Sequence, residues 1–421
     1  MSIMSIYLLL SLLLPLAATT GVAATQQIKH STGLYLGWLG HYNAGDDVVF
    51  YEIEKIISST ALQLNPPIAI SLHPYYPVNP CEQVLVDLSQ YDFIVLGGGS
   101  ILTQDEYACQ LTQAVALNLP LFVGGSGWDP RTPLRNGDSF SLDPVWKARF
   151  QRTGHLGYGG VRGPMTLMAV SNFFPNTKLI SIGDAGMLLN PNDYTLQYPT
   201  FIPKDFITDQ YIAVGHGQNI GDSIYHQNIN GALDQAMVSF VVHEITVNHR
   251  NIILYAMDGP SLSVMDQIHR HVVATLQNEG EKEGDKEMGR LYLIKQVLDA
   301  GSSCQLFYHA EATVNYKLHG SVISGGMGTP YVAMAYHFKS WDFASDLQDY
   351  PDEFTINTND VELNWKLLSD ALLNVLVPKK YMQLKEILKK SRERTRLRWT
   401  DVVNEFLNVL NEKLEGRESE L

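Results

Sequence analysis

Three basic residues and a histidine occupy positions directly after predicted strands. Arg162 lies in "GGVRGP", between glycines and ahead of a predicted helix. An arginine held there either binds a carboxylate or phosphate through two parallel hydrogen bonds or forms a surface ion pair. Lys317 and His319 lie in "NYKLHGS", which we expect to be extended, with both side chains on one side. A cation beside a histidine suits anion binding combined with proton transfer. Lys339 follows the last strand.

Carboxylates and an amide follow the first and third predicted strands. Asn43 and Asp46 come after the first strand, where they either contact a polar ligand or cap the next helix and favour its dipole. Asp105 follows a run of glycines after the third strand. Its carboxylate either accepts a proton from a substrate hydroxyl or caps the following helix.

The glycine run itself is a second candidate for ligand binding. Gly97, Gly98, Gly99 and Ser100 end the strand "YDFIVL". Glycines at this point either bring backbone N–H groups close to a ligand or simply form a tight turn. No Lys-Ser/Thr follows, so this is not a Walker motif. His216, after the strand "IAVG", is a further candidate for the cleft, with a structural role as the alternative.

Buried apolar runs alternate with helical segments along the chain, which is typical of parallel sheets. We predict two Rossmann-like α/β lobes facing each other across a cleft, at residues 30–195 and 205–350, followed by a helical tail at 360–421. Ligands of such sheets bind at the carboxyl ends of the strands, where the candidate residues lie. The tail holds nine basic residues between Lys379 and Arg398. It forms either a packed helix with a basic solvent face or a contact for a membrane or partner.

Composition narrows the function further. The chain has 421 residues and a formal net charge of −14, so we expect no nucleic-acid partner, because such binding needs a basic face. The three cysteines are far apart in sequence, and no metal-binding spacing occurs; we expect no metal, although one disulfide remains open. Residues 1–24 are apolar and end in "VAA", as in a signal peptide or short anchor. That segment predicts a secretory or extracytoplasmic location and leaves membrane association possible.

The order of five motifs resembles that of the polysaccharide pyruvyl transferase family. They are "NAGDD", "FIVLGGGSILTQDE", "GVRGPMT", "IGDAGMLL" and "YKLHGSVISGGMGTPYVAMAYHFKSWDF", spread from Gly37 to Asp346. The resemblance implies a fold similar to that of GT-B glycosyltransferases. It also implies transfer of a pyruvyl group from phosphoenolpyruvate to a sugar of a glycan, as in polysaccharide biosynthesis, with no other cofactor.

The resemblance extends to single positions. Arg162 matches the arginine of the family's mid-chain motif, His319 the histidine of its "R-x-H" motif, and Lys339 a lysine after the last strand. Asn43, Gly45, Asp46 and the glycines at 97–99 match the amino-terminal motifs. Lys317 replaces the usual arginine, which keeps the positive charge but loses the planar fork.

A mechanism follows from these assignments. The three cations hold the phosphate and carboxylate of the donor, His319 protonates its methylene carbon, and Asp105 accepts the proton of the sugar hydroxyl. Two other functions share the fold. A nucleotide-sugar glycosyltransferase needs a ribose-binding carboxylate in the second lobe, which is not evident. A non-catalytic carbohydrate-binding protein is favoured only by the change at Lys317.

Overall fold

The protein consists of two lobes, each built on a six-stranded parallel sheet. The structure, a computed structural model, describes residues 28–76, 86–102, 107–128, 158–171, 179–194, 199–208, 210–217, 230–278, 288–358 and 365–420. Residues 1–24 and Asp105, both named above, lie outside these ranges.

The first lobe alternates strands and helices in chain order. Its elements are β1 (Lys29–Leu36), α1 (Ala44–Ala61), β2 (Ile68–Tyr75), β3 (Phe93–Leu96), α2 (Ala108–Ala116), β4 (Leu121–Ser126), β5 (Tyr158–Val161), α3 (Pro164–Ser171) and β6 (Ile180–Ser181). The strand order is β2-β1-β3-β4-β5-β6. The first helix begins where predicted: Asn43 accepts a hydrogen bond from the N–H of Gly45, and carboxylates occupy the first turn.

The second lobe also alternates strands and helices around a parallel sheet, with a different strand order. Its elements are α4 (Lys204–Thr208), β7 (Ile212–Gly215), α5 (Asn230–Thr246), β8 (Ile252–Tyr255), α6 (Gly259–Asn278), β9 (Leu291–Leu293), α7 (Ala300–His309), β10 (Ala312–Asn315), α8 (Leu318–Met327), β11 (Tyr331–Ala335), α9 (Phe338–Asp346) and β12 (Thr355–Asn357). The strand order is β12-β11-β10-β7-β8-β9, again parallel throughout. The prediction of two Rossmann-like lobes is confirmed.

Helices cover both faces of the first sheet. Alternation along β3 sends Phe93 to one face and Ile94 to the other. On the Phe93 side, the core is completed by Ile53 of α1 and by Phe406, which comes from the far end of the chain. Burial of both faces explains why the strands read as continuous apolar runs.

Two helices end the chain and join the lobes. They are α10 (Trp365–Leu376) and α11 (Pro378–Glu420). Leu372 of α10 packs in the core of the second lobe, whereas Trp399 of α11 is fully buried in the first. The arginines of α11 bind both lobes: Arg392 donates to the carbonyl of Gly326, and Arg398 pairs with Asp346 while donating to the carbonyl of Ser181. Part of the basic stretch therefore bonds to protein groups rather than facing solvent.

One local prediction was wrong. Lys317 and His319 were expected on an extended segment, but α8 begins at Leu318, with Lys317 as its N-cap residue. The preceding "ATVN" is a buried strand, so the chain turns directly from strand to helix at this point. Both side chains still lie on the cleft, because the first turn of the helix faces it.

Two further features bear on the setting of the protein. Within the described residues, no helix has the length and apolar character that crossing a bilayer requires. Cys304 is a buried free thiol, whereas Cys109 is disulfide-bonded, so the disulfide left open by the sequence is present.

Candidate functional site

A cavity of about 470 Å³ lies between the lobes, at the carboxyl ends of both sheets. Eight of the predicted residues line it: Asn43, Asp46, Gly99, Ser100, Arg162, Lys317, His319 and Lys339. The lobes meet at its edge, where the N–H of Ala44 donates to the carbonyl of Met257 over 3.3 Å. Residues separated by as many as 296 positions in sequence therefore share one small, partly enclosed volume.

Three of the predicted residues lie outside the cavity lining and pack against neighbouring side chains. Gly97 and Gly98 do not line the cavity, and side chains there would clash with the Tyr35 ring and with Val49, respectively. His216 is also absent from the lining: its Nε2 lies 2.7 Å from a carboxylate oxygen of Asp234, and its ring packs edge-on against Tyr316. For these residues, close packing accounts for the residue type.

Arg162 is the most enclosed cation of the site. It directly follows β5, and its side chain is 0% exposed. A Cβ on residue 127 would clash with the guanidinium, so Gly127 makes the space for it. Its Nη2 lies 3.4 Å from the Ser100 hydroxyl, while Nε and Nη1 have no hydrogen-bond partner among the described residues. Because a buried charge needs hydrogen bonds, this guanidinium is ready to receive an anion.

Asp342, which the sequence analysis did not single out, positions Arg162. It extends from α9 in the second lobe and accepts hydrogen bonds from the N–H groups of Met165 and Thr166 and from the Thr166 hydroxyl. These groups form the start of α3 in the first lobe, where a carboxylate suits the helix dipole. Asp342 Oδ2 lies 3.6 Å from Arg162 Nε. The segment "KSWD" offered a weak indication of Asp342 as a site residue, since it places Asp342 one helical turn after the candidate Lys339.

Lys317 is held in the cavity by a second carboxylate. Its Nζ lies 3.1 Å from Asp258 Oδ2. Asp258 is itself fixed, because its other oxygen accepts a hydrogen bond from the N–H of Ser261 at the start of α6. The lysine stem packs closely against Gly217, where a Cβ would intrude. The ammonium is therefore both oriented and partly neutralised by Asp258.

His319 lies between the lobes. Its ring packs against the backbone of Gly45, where a Cβ would overlap it. Burial, with Lys339, Arg162 and Lys317 adding positive charge, lowers the pKa of His319 to about 3. The ring is therefore neutral in the ligand-free protein near pH 7. Its pKa therefore lies below the ordinary histidine range on which the sequence-based assignment as a general acid relied.

Asp46 faces His319 from the other lobe. Its Oδ1 lies 3.9 Å from His319 Nε2, and the residue is only 5% exposed. Burial raises the pKa of Asp46 to about 8, although Lys339 opposes the shift. Near neutral pH, the carboxyl therefore carries a proton. An acid protonated at neutral pH beside a neutral histidine is an arrangement suited to proton transfer.

Aromatic and apolar groups line the rest of the cavity. The rings of Trp38 and His41 stack at 4.0 Å between centroids, and Lys339 Nζ lies 5.6 Å from the centre of the Tyr336 ring. Sequence reasoning missed these rings and also missed Met257, Asp258 and Pro260. All of them come directly after strands, which was the one signal available. Over the described part of the chain, no group of three or more His, Cys, Asp or Glu side chains is placed to hold a metal ion.

Comparison with known proteins yields structural matches only. No protein-family model matches the chain, and no curated protein matches it. Among solved structures, S. aureus MnaA in complex with UDP is 10% identical and has a TM-score of 0.53, covering 85% of this chain and 91% of its own. A Listeria monocytogenes structure assigned as a UDP-N-acetylglucosamine 2-epimerase is 11% identical, with a TM-score of 0.52 and coverage of 93% and 98%.

A third match has a different activity. The α,α-trehalose 6-phosphate synthase of Burkholderia multivorans is 9% identical, with a TM-score of 0.52, covering 93% of this chain and 100% of its own. Identities this low establish the fold alone. The shared architecture is that of GT-B proteins: two Rossmann-like lobes with a cleft between them.

Proposed function

We propose that this protein is a transferase that moves the pyruvyl group of phosphoenolpyruvate onto a sugar hydroxyl. The observation that carries the proposal is the convergence of Arg162, Lys317 and Lys339 with His319 in one cavity. These residues belong to motifs whose order along the chain resembles the polysaccharide pyruvyl transferases. Cations from both lobes around a small, partly enclosed volume suit a compact, multiply charged donor.

The charge of the cavity matches such a donor. Phosphoenolpyruvate carries a phosphate and a carboxylate, and each needs cationic or N–H partners once water is displaced. Nε and Nη1 of Arg162 have no hydrogen-bond partner within the described ranges, and the first turn of α8 adds the positive end of its dipole beside Lys317. With Asp46 protonated, Asp258 is the other carboxyl residue among the described residues of the cavity lining. The remaining positive charge draws the anion in.

The chemistry requires one proton at the donor's methylene carbon. Protonation makes the adjacent carbon electron-poor, a sugar hydroxyl adds to it, and phosphate leaves; a second hydroxyl then closes a ketal. His319 becomes a stronger base when the negative charge of the donor offsets the three surrounding cations. Preorganised cations in a partly enclosed cavity stabilise the departing phosphate.

A nucleotide-sugar glycosyltransferase is the second candidate, and the structural matches favour it. They comprise a complex with UDP, a structure assigned to an enzyme of a UDP-linked sugar and a sugar-phosphate synthase. The cavity also offers surfaces that suit a nucleobase: Trp38, Met257, Pro260 and Tyr336. A ribose would need a free carboxylate, however, and Asp258 is already bound to Lys317 and to the start of α6.

We further propose a secretory or extracytoplasmic location. The disulfide at Cys109 supports it, because structural disulfides persist in oxidising compartments. Sequencing the amino terminus of the protein purified from its native source tests the cleavage expected near residue 24. A mature chain that still begins at Met1 would argue against a cleaved signal peptide.

The transfer reaction tests the function directly. We would incubate the protein with phosphoenolpyruvate and a panel of galactosides and N-acetylhexosamines, and measure phosphate release together with the mass of the sugar. We expect both phosphate and a pyruvylated sugar, and we expect His319→Ala to abolish them. The same panel with UDP-sugars tests the second candidate. Binding of saccharides without turnover of either donor would favour a non-catalytic carbohydrate-binding protein.

A further inference from the structure

Asp46 and His319 form a pair of buried proton carriers that spans the two lobes. The carboxyl comes from α1 of the first lobe and the imidazole from α8 of the second, and both line the same cavity. The distance of 3.9 Å between Asp46 Oδ1 and His319 Nε2 is too long for a direct hydrogen bond but leaves the two atoms close to contact. His319 Nε2 is buried and has no hydrogen-bond partner among the described residues.

We propose that Asp46 and His319 act together as the catalytic acid and base, holding one proton that is given to the donor and recovered from the sugar. This inference rests on the proposed pyruvyl transfer. It assigns to Asp46 the role that sequence reasoning gave to Asp105, and it replaces two separate groups with one coupled pair.

Geometry favours this pair. The Gly45 backbone packs against the imidazole, so the ring cannot move toward the first lobe without a clash. Both residues line the cavity that would receive the donor and the sugar hydroxyl. Asn43, next to Asp46 in the lining, is engaged in capping α1 and is not titratable.

Burial, adjusted by the surrounding charges, sets the proton count of the pair. Asp46 is influenced by Lys339, Asp47, Asp184 and Arg162, and its raised pKa leaves its carboxyl protonated near neutral pH. Lys339, Arg162, Lys317 and Asp258 act on His319, whose lowered pKa leaves its ring neutral. Together the two residues therefore hold one exchangeable proton near neutral pH. An anion bound nearer to the imidazole than to the carboxyl shifts that proton toward His319, because it favours the imidazolium more than it disfavours the carboxylate.

The proton balance of the first addition closes within this pair. The pair gives its proton to the methylene carbon, which becomes a methyl group as the carbon–carbon double bond is consumed. The sugar oxygen forms its bond to the central carbon, and its proton passes to the pair, which returns to its starting state. When the carbon–oxygen bond to phosphate breaks, the proton of the second hydroxyl leaves with the phosphate. No third acid or base is required.

Asp46→Asn tests the pair, with Asp47→Asn as the matched control. Asp47 is the neighbouring carboxylate of the same helical turn and does not line the cavity. We expect Asp46→Asn to lower kcat by roughly 100-fold or more while changing the KM for phosphoenolpyruvate by less than about threefold. We expect Asp47→Asn to stay within about twofold of the wild-type kcat. A kcat for Asp46→Asn equal to that of the control would overturn the pair.

The pH profile of the wild-type enzyme gives a test that needs no variant. A pair that works with one proton predicts a bell-shaped kcat profile, falling when the pair gains a second proton and again when it loses its only one. A profile flat from about pH 5 to 9 would contradict this. Calorimetry with phosphoenolpyruvate separates the two levels of the argument. Absence of donor binding and turnover in the wild type refutes the proposed function, whereas wild-type turnover with fully active Asp46→Asn refutes only the pair.

Discussion

Replacing Arg162 with methionine should abolish donor binding at a modest cost in the stability of the protein. The guanidinium is fully buried, and two of its three nitrogens have no hydrogen-bond partner among the described residues. Its attraction to Asp342 at 3.6 Å is worth about 5 kcal/mol at an effective dielectric constant of about 20. Desolvation of the two buried ions costs several kcal/mol each, and this cost offsets the attraction between them.

The partner carboxylate tolerates the loss of Arg162. Asp342 still accepts three hydrogen bonds, from the N–H groups of Met165 and Thr166 and from the Thr166 hydroxyl, at 3.0, 3.0 and 2.6 Å. The Asp342 carboxylate therefore remains hydrogen-bonded after the guanidinium is removed. Because one partner of the pair remains, we expect Arg162→Met to lower the free energy of unfolding, but by less than the roughly 3–5 kcal/mol typical of breaking a buried ion pair, since Asp342 keeps its hydrogen bonds.

Thermal unfolding with and without ligand measures both effects. At 100 times its dissociation constant, phosphoenolpyruvate should stabilise the wild type by about 2.7 kcal/mol, and this shift should be absent in the variant. Arg250→Met is the control, because Arg250 pairs with the fully buried carboxylate of Glu244 away from the cavity. Its loss should destabilise the protein by about 3–5 kcal/mol without reducing the ligand shift. An Arg162→Met protein that loses stability like the control and keeps the shift would refute a ligand-binding role.

Four further variants test neighbouring parts of the account. Gly45→Ala should lower kcat by roughly tenfold or more, because the new methyl group displaces the ring of His319. Gly231→Ala is the control: the space around Gly231 is open, so kcat should stay unchanged. Equal kcat values for the two variants would contradict close packing of His319 against Gly45. Lys317→Arg restores a planar fork and should tighten phosphoenolpyruvate binding by about tenfold in calorimetry; weaker binding would show that the lysine is suited to another donor. Asp46→Asn should raise the unfolding midpoint at pH 8 but not at pH 4. Burial raises the pKa of the Asp46 carboxyl to about 8, so the folded wild-type protein loses stability as the pH rises from about 4 toward 8. An equal gain in midpoint at both pH values would refute this prediction. Phe406→Ala should cost about 3–5 kcal/mol by emptying the first-lobe core, and a cost under about 1 kcal/mol would show that α11 is not integral to that lobe.

Sequence patterns predicted the fold and most of the cavity because both depend on local features. Buried strands appear as apolar runs, and ligand-binding residues of parallel sheets follow the strands. Arg162, Lys317 and Lys339 could be found in this way. The helix that starts at Leu318 was missed because "ATVN" is a short strand and the glycines of "HGSVISGG" weaken the helical pattern.

The contacts between lobes could not be predicted. Asp342 reaches the start of α3 from 176 residues away, and nothing local to either segment encodes that approach. The pKa values of Asp46 and His319 were also out of reach, because burial and neighbouring charges from the other lobe determine them. Even the glycines at 97 and 98, interpreted as a ligand loop, are explained by side chains packed against them.

Parallel titration of the protein with phosphoenolpyruvate and with UDP-N-acetylglucosamine, followed by calorimetry, tests the central claim most directly. The account predicts that phosphoenolpyruvate binds at a single site and that Arg162→Met eliminates this binding. It also predicts that UDP-N-acetylglucosamine binds at least tenfold more weakly. Tight binding of the nucleotide sugar with no heat from phosphoenolpyruvate would contradict the account and assign the cavity to a nucleotide-sugar enzyme.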